Sequence, residues 1–373
     1  MAEPWARLVA EWTEAGVIDP ATAARIRTFE DGRRREHRWR WPMWLALVFG
    51  ALTMGAGVLL FVAAHWDTLS PAARMAIVVG TVALFHVASA VFSARQPALA
   101  SACHAVGTVA LGGGIFMAGQ IFHLAEHWPG GILLWALGAV VAWTLLRDGL
   151  QLSLVAILVP AWLASEWIVA TEFDARHSAR VLASGVFLLA LSYATAVTSR
   201  PASVARQVLR WIGRVALLPS ALTLAVATDV SGTITQSSPG LLTLGWTAAL
   251  GGPLLLAAWL RRGQAWPNAL AVVWVLALSA LAAVSSSVPQ YGWWAIGAGG
   301  LVAWGIRDGH GDRVNFGAAI FAATVLAFYF SEVMTKLGRS VSLVGLGLVL
   351  LAGGWLFERT RRRLIRHAAQ ESE

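Results

Sequence analysis

From position 41 onward the chain alternates between long apolar stretches and short polar connections. A helix needs about 20 residues to cross roughly 30 Å of lipid hydrocarbon, and about twelve stretches reach or approach that length. Lipid cannot satisfy an open backbone, so each stretch is predicted to be helical, and the alternating strands of a membrane barrel are missing from the pattern. The pattern predicts an all-α, polytopic integral membrane bundle with spans near 41–64, 72–93, 99–123, 129–146, 150–170, 179–198, 208–228, 240–260, 267–287, 290–306, 312–333 and 339–358.

The segment before the first apolar stretch has a different pattern. Four apolar side chains recur there at the spacing of one helix face, namely Trp5, Leu8, Val9 and Trp12. Gly16 can end that helix, and Asp19 followed by Pro20 is typical of the start of another. We therefore predict a cytoplasmic helical hairpin and an arginine-rich linker over residues 1–40. The hairpin is too small for a core of its own, so we expect it to contact the membrane or a protein partner.

The positions of the basic residues test this predicted membrane topology. When the N-terminus is placed inside, most of the 28 lysines and arginines fall on the inner side, and the outer side keeps Arg74, Arg176, Arg180, Lys336 and Arg339. This bias follows the positive-inside rule and predicts that both the N- and C-termini are cytoplasmic. Arginine is used almost to the exclusion of lysine, which indicates a GC-rich bacterial genome and hence the bacterial inner membrane.

Composition excludes several classes of protein. The chain has 373 residues, of which 57% are hydrophobic and 13% charged, and a soluble fold of that size could not cover so much apolar surface. Its net charge of +8 is explained by arginines facing the inner leaflet, so we expect membrane lipid and not nucleic acid as a partner. The single Cys103 excludes an internal disulfide and a cysteine metal cluster. Nucleotide-binding and nucleophile motifs are missing as well, so we predict no catalytic residue, no enzyme activity and no cofactor.

One stretch of sequence occurs twice. Residues 133–149 read LLWALGAVVAWTLLRDG, and residues 293–309 read WWAIGAGGLVAWGIRDG. The repetition extends to a Ser-Glu pair one apolar stretch later in each case, which includes Glu166 and Glu332. The copies are six spans apart and therefore point the same way, which predicts a 6+6 parallel internal repeat. The alternative is that two spans rich in tryptophan and glycine converged on similar sequences.

This repeat and the polar ends divide the chain. The predicted parts are the hairpin and linker over 1–40, a first membrane half over 41–206, a second membrane half over 207–358, and a basic cytoplasmic tail over 359–373.

The chain also resembles a known family. The resemblance rests on the opening LVAEWTEAGVIDPATAARI, on Gly119-Gln120-Ile121-Phe122 followed by the stretch around Trp135, and on the ending from Asn315 through Tyr329 to Arg361-Arg362-Arg363. These features are similar to those of a bacterial family of predicted integral membrane proteins, domain of unknown function 2157. The resemblance implies a multi-pass inner-membrane protein, with no established activity and no catalytic residue to carry over.

Two histidines fall inside predicted spans. His86 lies in the second span and His104 in the third, where an ionisable side chain is costly and suggests function. If these helices pack together, both rings and Gln120 could line a substrate path, and a histidine pair could carry protons because histidine changes charge near neutral pH. The alternative is a neutral ring satisfied by one neighbouring hydroxyl or carbonyl.

A glycine run, Gly112-Gly113-Gly114, also lies in the third span. It could break the helix and expose backbone groups to a substrate. The alternative is close packing of helices through small residues.

Both copies of the repeat end in Arg-Asp-Gly, with Arg147 and Asp148 in the first and Arg307 and Asp308 in the second. A tight inner turn explains these residues, and the functional alternative is a paired gate on the inner side. Glu166 and Glu332 at outer ends could form a matching acidic pair, or they are solvated surface groups.

One short motif suggests a metal. His123, Glu126 and His127 form H-x-x-E-H, in which two histidines on one helix face could bind Zn²⁺ with the glutamate as general base. The alternative is a set of interfacial polar residues before Pro129, which ends the helix.

These features leave three functional interpretations open. The first is a small-solute or ion transporter that uses the buried histidines. The second is a non-catalytic membrane scaffold or sensor whose hairpin binds a partner. The third is a membrane metalloenzyme that uses the motif at 123–127.

Overall fold

In the computed structural model, the described part of the chain comprises residues 4–30, 69–122, 127–172, 177–196, 203–229, 238–261, 264–281 and 288–333, with a few single positions besides. Every secondary-structure element in these ranges is a helix, which confirms the predicted all-α class. Apart from some of those single positions, the predicted spans 41–64 and 339–358 and the tail 359–373 lie outside the described residues.

The elements follow one another through short connections. They are α1 (Pro4–Glu14), α2 (20–30), α3 (Pro71–Phe92), α4 (Pro97–Phe122), α5 (Trp128–Leu146), α6 (Gly149–Ala170), α7 (His177–Ala194), α8 (Val204–Asp229), α9 (Pro239–Leu260), α10 (Trp266–Leu281), α11 (Val288–Arg307) and α12 (Gly311–Phe328), which runs into a π-helical turn (Tyr329–Val333).

Eight of the described helices are long and apolar enough to cross a membrane, namely α3 to α9 and α12 with its π-helical turn. α10 is shorter, with 16 residues, and α11 lies outside that set. Large apolar side chains such as Leu145, Leu255 and Trp259 are 71–77% exposed. A soluble monomer rarely shows so much apolar surface, whereas lipid accepts it. The chain is therefore a multi-pass helical membrane protein, and the count of twelve spans stays a prediction.

Capping residues that can be recognised in the sequence begin or end several of the helices. The Ser70 hydroxyl accepts a hydrogen bond from the Ala73 amide, and Pro71 occupies the first turn of α3, where no amide hydrogen is needed. Ser238 and Pro239 begin α9 in the same way. In the N-terminal segment, Gly16 takes a left-handed φ of 70° between α1 and α2, as predicted for a helix end.

The contacts divide the chain into two compact units, Met1–Leu163 and Ala164–Glu373. Unit 1 holds α1 to α5 and most of α6, and unit 2 holds the end of α6 and α7 to α12. The repeated segments 133–149 and 293–309 lie in different units.

Corresponding positions of the two repeated segments have similar burial within their own units. Ala139 and Ala298 are at most 2% exposed, while Leu137 and Ile296 are at least half exposed. Each segment also takes part in a contact between a tryptophan ring and a glycine of the neighbouring helix. In unit 1 the ring of Trp135 in α5 lies on Gly112 of α4, and in unit 2 the roles are reversed, with Trp274 of α10 on Gly297 of α11. These likenesses fit the repeat, which stays a prediction.

The core of unit 2 is formed chiefly by α7, α8, α10 and α11, with Leu217, Leu224, Val275 and Leu278 almost fully buried. Gly213 in α8 brings that helix against the backbone of α7. A methyl group at Gly213 would collide with the Ala194 nitrogen and the Ala190 oxygen. Since lipid provides no hydrophobic force between helices, such small-residue contacts supply the packing that holds them together.

Replacing Gly213 with alanine should destabilise unit 2, because the added methyl overlaps backbone that cannot rotate away. We expect a loss of about 2 kcal/mol or more. Gly251 in α9 is a matched control, since nothing lies within 4 Å of the position that an added methyl group would take there. Gly251→Ala should be neutral or stabilise by about 0.5–1 kcal/mol through helix propensity. Thermal unfolding of the detergent-solubilised protein measures both, and equal effects would contradict the packing account.

Candidate functional site

Two histidines of unit 1 meet between α3 and α4. The ring centroids of His86 and His104 lie 5.4 Å apart with the rings inclined at 67°. The Nδ1 atom of His86 lies 2.9 Å from the Val82 carbonyl oxygen one turn earlier in α3. Gly107 makes room for the His86 ring, because any larger side chain there would occupy the same space. The structure thus brings His86 and His104 together between α3 and α4, and the substrate path suggested for them by the sequence stays a prediction.

His104 belongs to a row of polar residues on α4. Ser101, His104 and Thr108 are spaced by three and four positions and so share one face of the helix. The Ser101 hydroxyl donates to a carboxylate oxygen of Asp148 at 2.7 Å, and the Thr108 hydroxyl lies 3.1 Å from the Gln151 side-chain oxygen. We call this set the polar seam, which comprises His86, Ser101, His104, Thr108, Asp148 and Gln151.

Two atoms of the polar seam lack a hydrogen-bond partner among the described residues. They are Nδ1 of His104 and the amide nitrogen of Gln151, whose side chain is fully buried. Leaving a buried polar atom unsatisfied costs about 1–3 kcal/mol. Groups kept at that cost often have a role that a satisfied group could not perform. The seam therefore has capacity to bind a further hydrogen-bonding species.

The seam ends at Thr108. The indole nitrogen of Trp135 donates to the Thr108 carbonyl at 2.8 Å, and its ring covers Gly112 one turn further on. α4 is continuous through Gly112, Gly113 and Gly114, so the glycine run does not interrupt the helix. Gly114 faces Val78 of α3, and Gly113 is half-buried. The glycines thus allow close packing of α4 against its neighbours.

Gln120 lies apart from the seam. It is exposed on α4 about three turns beyond Thr108. The amide side chain in the seam is that of Gln151, which the sequence analysis did not select. The signal was present, because Gln151 is a lone amide at the start of an apolar span and follows Asp148 by three positions.

The two Arg-Asp-Gly turns are built differently. In unit 1, Arg147 adopts the left-handed φ of 53° and its guanidinium lies 5.5 Å from the Trp143 ring centroid. In unit 2, Gly309 takes the left-handed φ of 67°, and the guanidinium of Arg307 lies 4.6 Å from the Trp266 ring centroid. Each arginine thus contacts a tryptophan, and the predicted gate stays a prediction.

Asp308 organises the turn of unit 2. Its carboxylate accepts hydrogen bonds from Arg313 and, at 2.9 Å, from the Trp304 indole, and Arg261 lies 3.5 Å away. Both guanidinium groups lie over the Trp304 ring, 5.0–5.1 Å from its centroid. We call Arg261, Trp304, Asp308 and Arg313 the Asp308 cluster. Asp148 has a simpler contact in unit 1, a hydrogen bond from the hydroxyl of Ser101.

The charges of this cluster act on the carboxyl group. Burial raises the pKa of Asp308, but the hydrogen bond and charge of Arg313, the charge of Arg261 and the Trp304 hydrogen bond outweigh burial. The pKa therefore lies below the ordinary value of 3.8, and Asp308 is ionised at neutral pH.

The remaining predicted residues are placed as follows. Glu166 lies in α6 and Glu332 in the π-helical turn, both half-buried and both within unit 2, and their pairing stays a prediction. His127 is the N-cap of α5 and makes no side-chain cap there. His123 and Glu126 lie outside the described residues. Within the described part of the chain, no group of three or more potential ligands could hold a metal ion.

The eight long apolar helices define a multi-pass helical membrane protein. Residues 10–152 match a family model whose description is "Predicted membrane protein (DUF2157)". This match confirms, over those residues, the family resemblance seen in the sequence, and the family's function is unknown. Comparisons with curated proteins and with solved structures found no match.

Replacing Asp308 with asparagine should destabilise unit 2, since two nearly buried guanidinium groups would lose their counter-charge. We expect a loss of about 3 kcal/mol in the free energy of unfolding at neutral pH. Asp148→Asn is the matched control and should cost about 1 kcal/mol, because it weakens one hydrogen bond. Because the pKa of Asp308 is lowered by folding, its contribution is present above about pH 4 and is lost as pH falls further. The gap between wild type and Asp308→Asn in thermal unfolding should therefore close at acid pH, and a constant gap would contradict this assignment.

Proposed function

We propose that this chain is a protein of the bacterial inner membrane that transports protons through the polar seam of unit 1, with both termini in the cytoplasm. The observation that carries the proposal is the His86–His104 pair, two titratable rings 5.4 Å apart inside apolar helices. Ionisable residues at such depth are expensive and generally mark ion pathways or proton relays.

The tautomer of His86 favours proton exchange. The Val82 carbonyl can only accept, so in the neutral ring Nδ1 of His86 carries the hydrogen and Nε2 is the acceptor. His104 offers an Nδ1 atom with no partner among the described residues. A proton can thus be taken up by one ring and passed on by the other, directly or through one water, because a histidine changes charge near neutral pH.

The seam gives this pair a route to one side. From Ser101 to Thr108 the polar face of α4 extends about 10 Å along the helix axis. At the Ser101 end the seam finishes at Asp148. Asp148 lies in the turn that the arginine distribution assigns to the cytoplasm. Protons would enter at Asp148 and pass the Ser101 hydroxyl to reach His104, while Thr108 and Gln151 continue the polar face beyond His104.

In this proposal Trp135 closes the opposite side of the seam. Its ring rests on Gly112 and its indole holds the Thr108 carbonyl. A seam that is sealed at one end describes one state of an alternating-access cycle. Release to the other side would require Trp135 to leave Gly112.

Proton flux into liposomes tests the proposal. Protein reconstituted with an internal pH-sensitive dye is given a potassium gradient and valinomycin, so that the membrane potential drives proton entry. Wild type should acidify the lumen well above the leak of empty liposomes. His104→Phe and His86→Asn should each lower the flux at least about tenfold, because each removes one carrier of the relay.

His177→Gln, in unit 2, is the matched control and should keep the wild-type flux. Circular dichroism and monodispersity should be unchanged in all variants. A wild-type flux equal to the leak, or full flux in His104→Phe, would rule out transport through the seam.

A second candidate function is a scaffold or sensor, and the N-terminal hairpin favours it. Val9 and Ala23 are only 2% exposed, whereas Leu8 and Trp12 remain over 40% exposed and Phe29 68% exposed. Apolar groups on a hairpin that precedes the membrane spans are candidates to bind a protein partner.

Deletion of residues 1–38 separates this function from transport. The shortened protein should insert normally and keep proton flux but lose a partner that crosslinks to the full chain. The double substitution Leu8→Asp and Trp12→Asp should reproduce that loss, and exposed Arg25→Ala should not. Unchanged crosslinking after the deletion would exclude the hairpin as a docking element.

A further inference from the structure

The N-terminal hairpin has almost no core of its own. α1 and α2 are joined by residues 15–19, and helices joined by so short a turn pack antiparallel. Val9 in α1 and Ala23 in α2 are the buried side chains among residues 8–30, each 2% exposed, and they mark where the two helices meet. Two such side chains are too few to hold a pair of short helices together, so a further contact surface is expected.

One side of the hairpin presents apolar groups. In an antiparallel pair, positions at equal offsets from the two contacting residues lie on the same side, because a local twofold axis exchanges the helices. The positions one before and three after Val9 and Ala23 therefore form one surface, which we call the hairpin face and which comprises Leu8, Trp12, Thr22 and Ile26. The two residues from α1 are more than 40% exposed, and the two from α2 are half-buried.

The two edges of the hairpin face carry opposite charges. Glu11 follows Val9 by two positions and Arg25 follows Ala23 by two positions, so one borders the face along α1 and the other along α2. The Arg25 guanidinium donates to the Thr22 hydroxyl at 3.0 Å, which holds the positive charge beside the face. Glu11 is exposed and makes no ion pair with any residue in the described ranges.

We infer that two copies of the chain associate through their hairpin faces and form a four-helix bundle from α1 and α2 of each copy. A second copy turned about an axis parallel to the helices lays its α1 on α2 of the first copy. Leu8 then lies over Ile26 of the second copy, and Glu11 meets Arg25 of the second copy. The symmetry of the pair makes each of these contacts twice.

Charge selects both this arrangement and this partner. A second copy turned about the perpendicular axis would put Glu11 against Glu11 and Arg25 against Arg25, which is repulsive. An anionic lipid surface would attract the Arg25 edge but repel the Glu11 edge. A second copy satisfies both edges at once and covers the apolar groups between them.

This inference names a partner for the scaffold or sensor candidate and rests on that candidate, whereas proton transport by the polar seam does not enter it. Energy transfer between two differently labelled samples of the full chain, mixed in liposomes at low protein density, measures the self-association. Wild type should associate, and deletion of residues 1–38 should abolish the association.

Charge reversal locates the contact. Glu11→Arg and Arg25→Glu should each weaken association about tenfold or more, because each replaces two attractions by two repulsions. The double reversal Glu11→Arg with Arg25→Glu should restore the affinity to within about threefold. Arg25→Ala removes an exposed charge without adding repulsion and should have a small effect. Glu14→Arg is the matched control, since Glu14 follows Val9 by five positions and lies off the hairpin face, and it should leave association unchanged.

Several results would overturn the inference. They are a monomeric wild type, full association after the deletion, a double reversal that does not restore affinity, and an equal loss in Glu14→Arg. A monomeric chain whose hairpin crosslinks to a different protein would exclude the second copy and leave the scaffold candidate intact. A monomeric chain whose hairpin crosslinks to nothing would remove both.

Discussion

Lipid cannot accept or donate hydrogen bonds, and the rest of this structure depends on that constraint. Backbone groups are satisfied inside helices, while a polar side chain in an apolar span must find its partner on the backbone of its own helix or on a neighbouring helix. Thr108 shows this, because its hydroxyl approaches Gln151 and its carbonyl receives the Trp135 indole. Where the requirement is only partly met, as at His104 and Gln151, the structure contains groups that can bind something more.

Close packing then depends on residues without bulk. Gly107 admits the His86 ring, Gly112 admits Trp135, and Gly213 admits the backbone of α7. Glycines at helix contacts thus serve both stability and the candidate site, because Gly107, which makes room for His86, also affects the distance between His86 and His104. In α4 these glycines do not break the helix, and each contact lets a large ring from the adjacent helix lie directly on the backbone.

Charge is used differently in the two units. In unit 1 the carboxylate of Asp148 accepts a hydrogen bond from Ser101, which lies on the α4 face that also carries His104. In unit 2 the carboxylate of Asp308 lies against two guanidinium groups that stack on the Trp304 ring. Neutral groups with exchangeable hydrogens suit the proton path proposed for unit 1, whereas an ion-paired cluster stacked on an aromatic ring holds a turn in place.

The amino-acid sequence was enough to establish the helical membrane class, because the length and spacing of apolar stretches follow directly from the thickness of lipid. It also selected His86 and His104, since charge-bearing residues stand out in an apolar span. The folded arrangement was needed to show that Gln151 joins them and Gln120 does not, because that depends on which helix faces lie together. The same Arg-Asp-Gly motif occurs in both units, but Asp148 makes one hydrogen bond whereas Asp308 belongs to a four-residue cluster. Ser101 and Arg261 approach these aspartates from parts of the chain 47 residues away, and periodicity along the chain contains no information about such contacts.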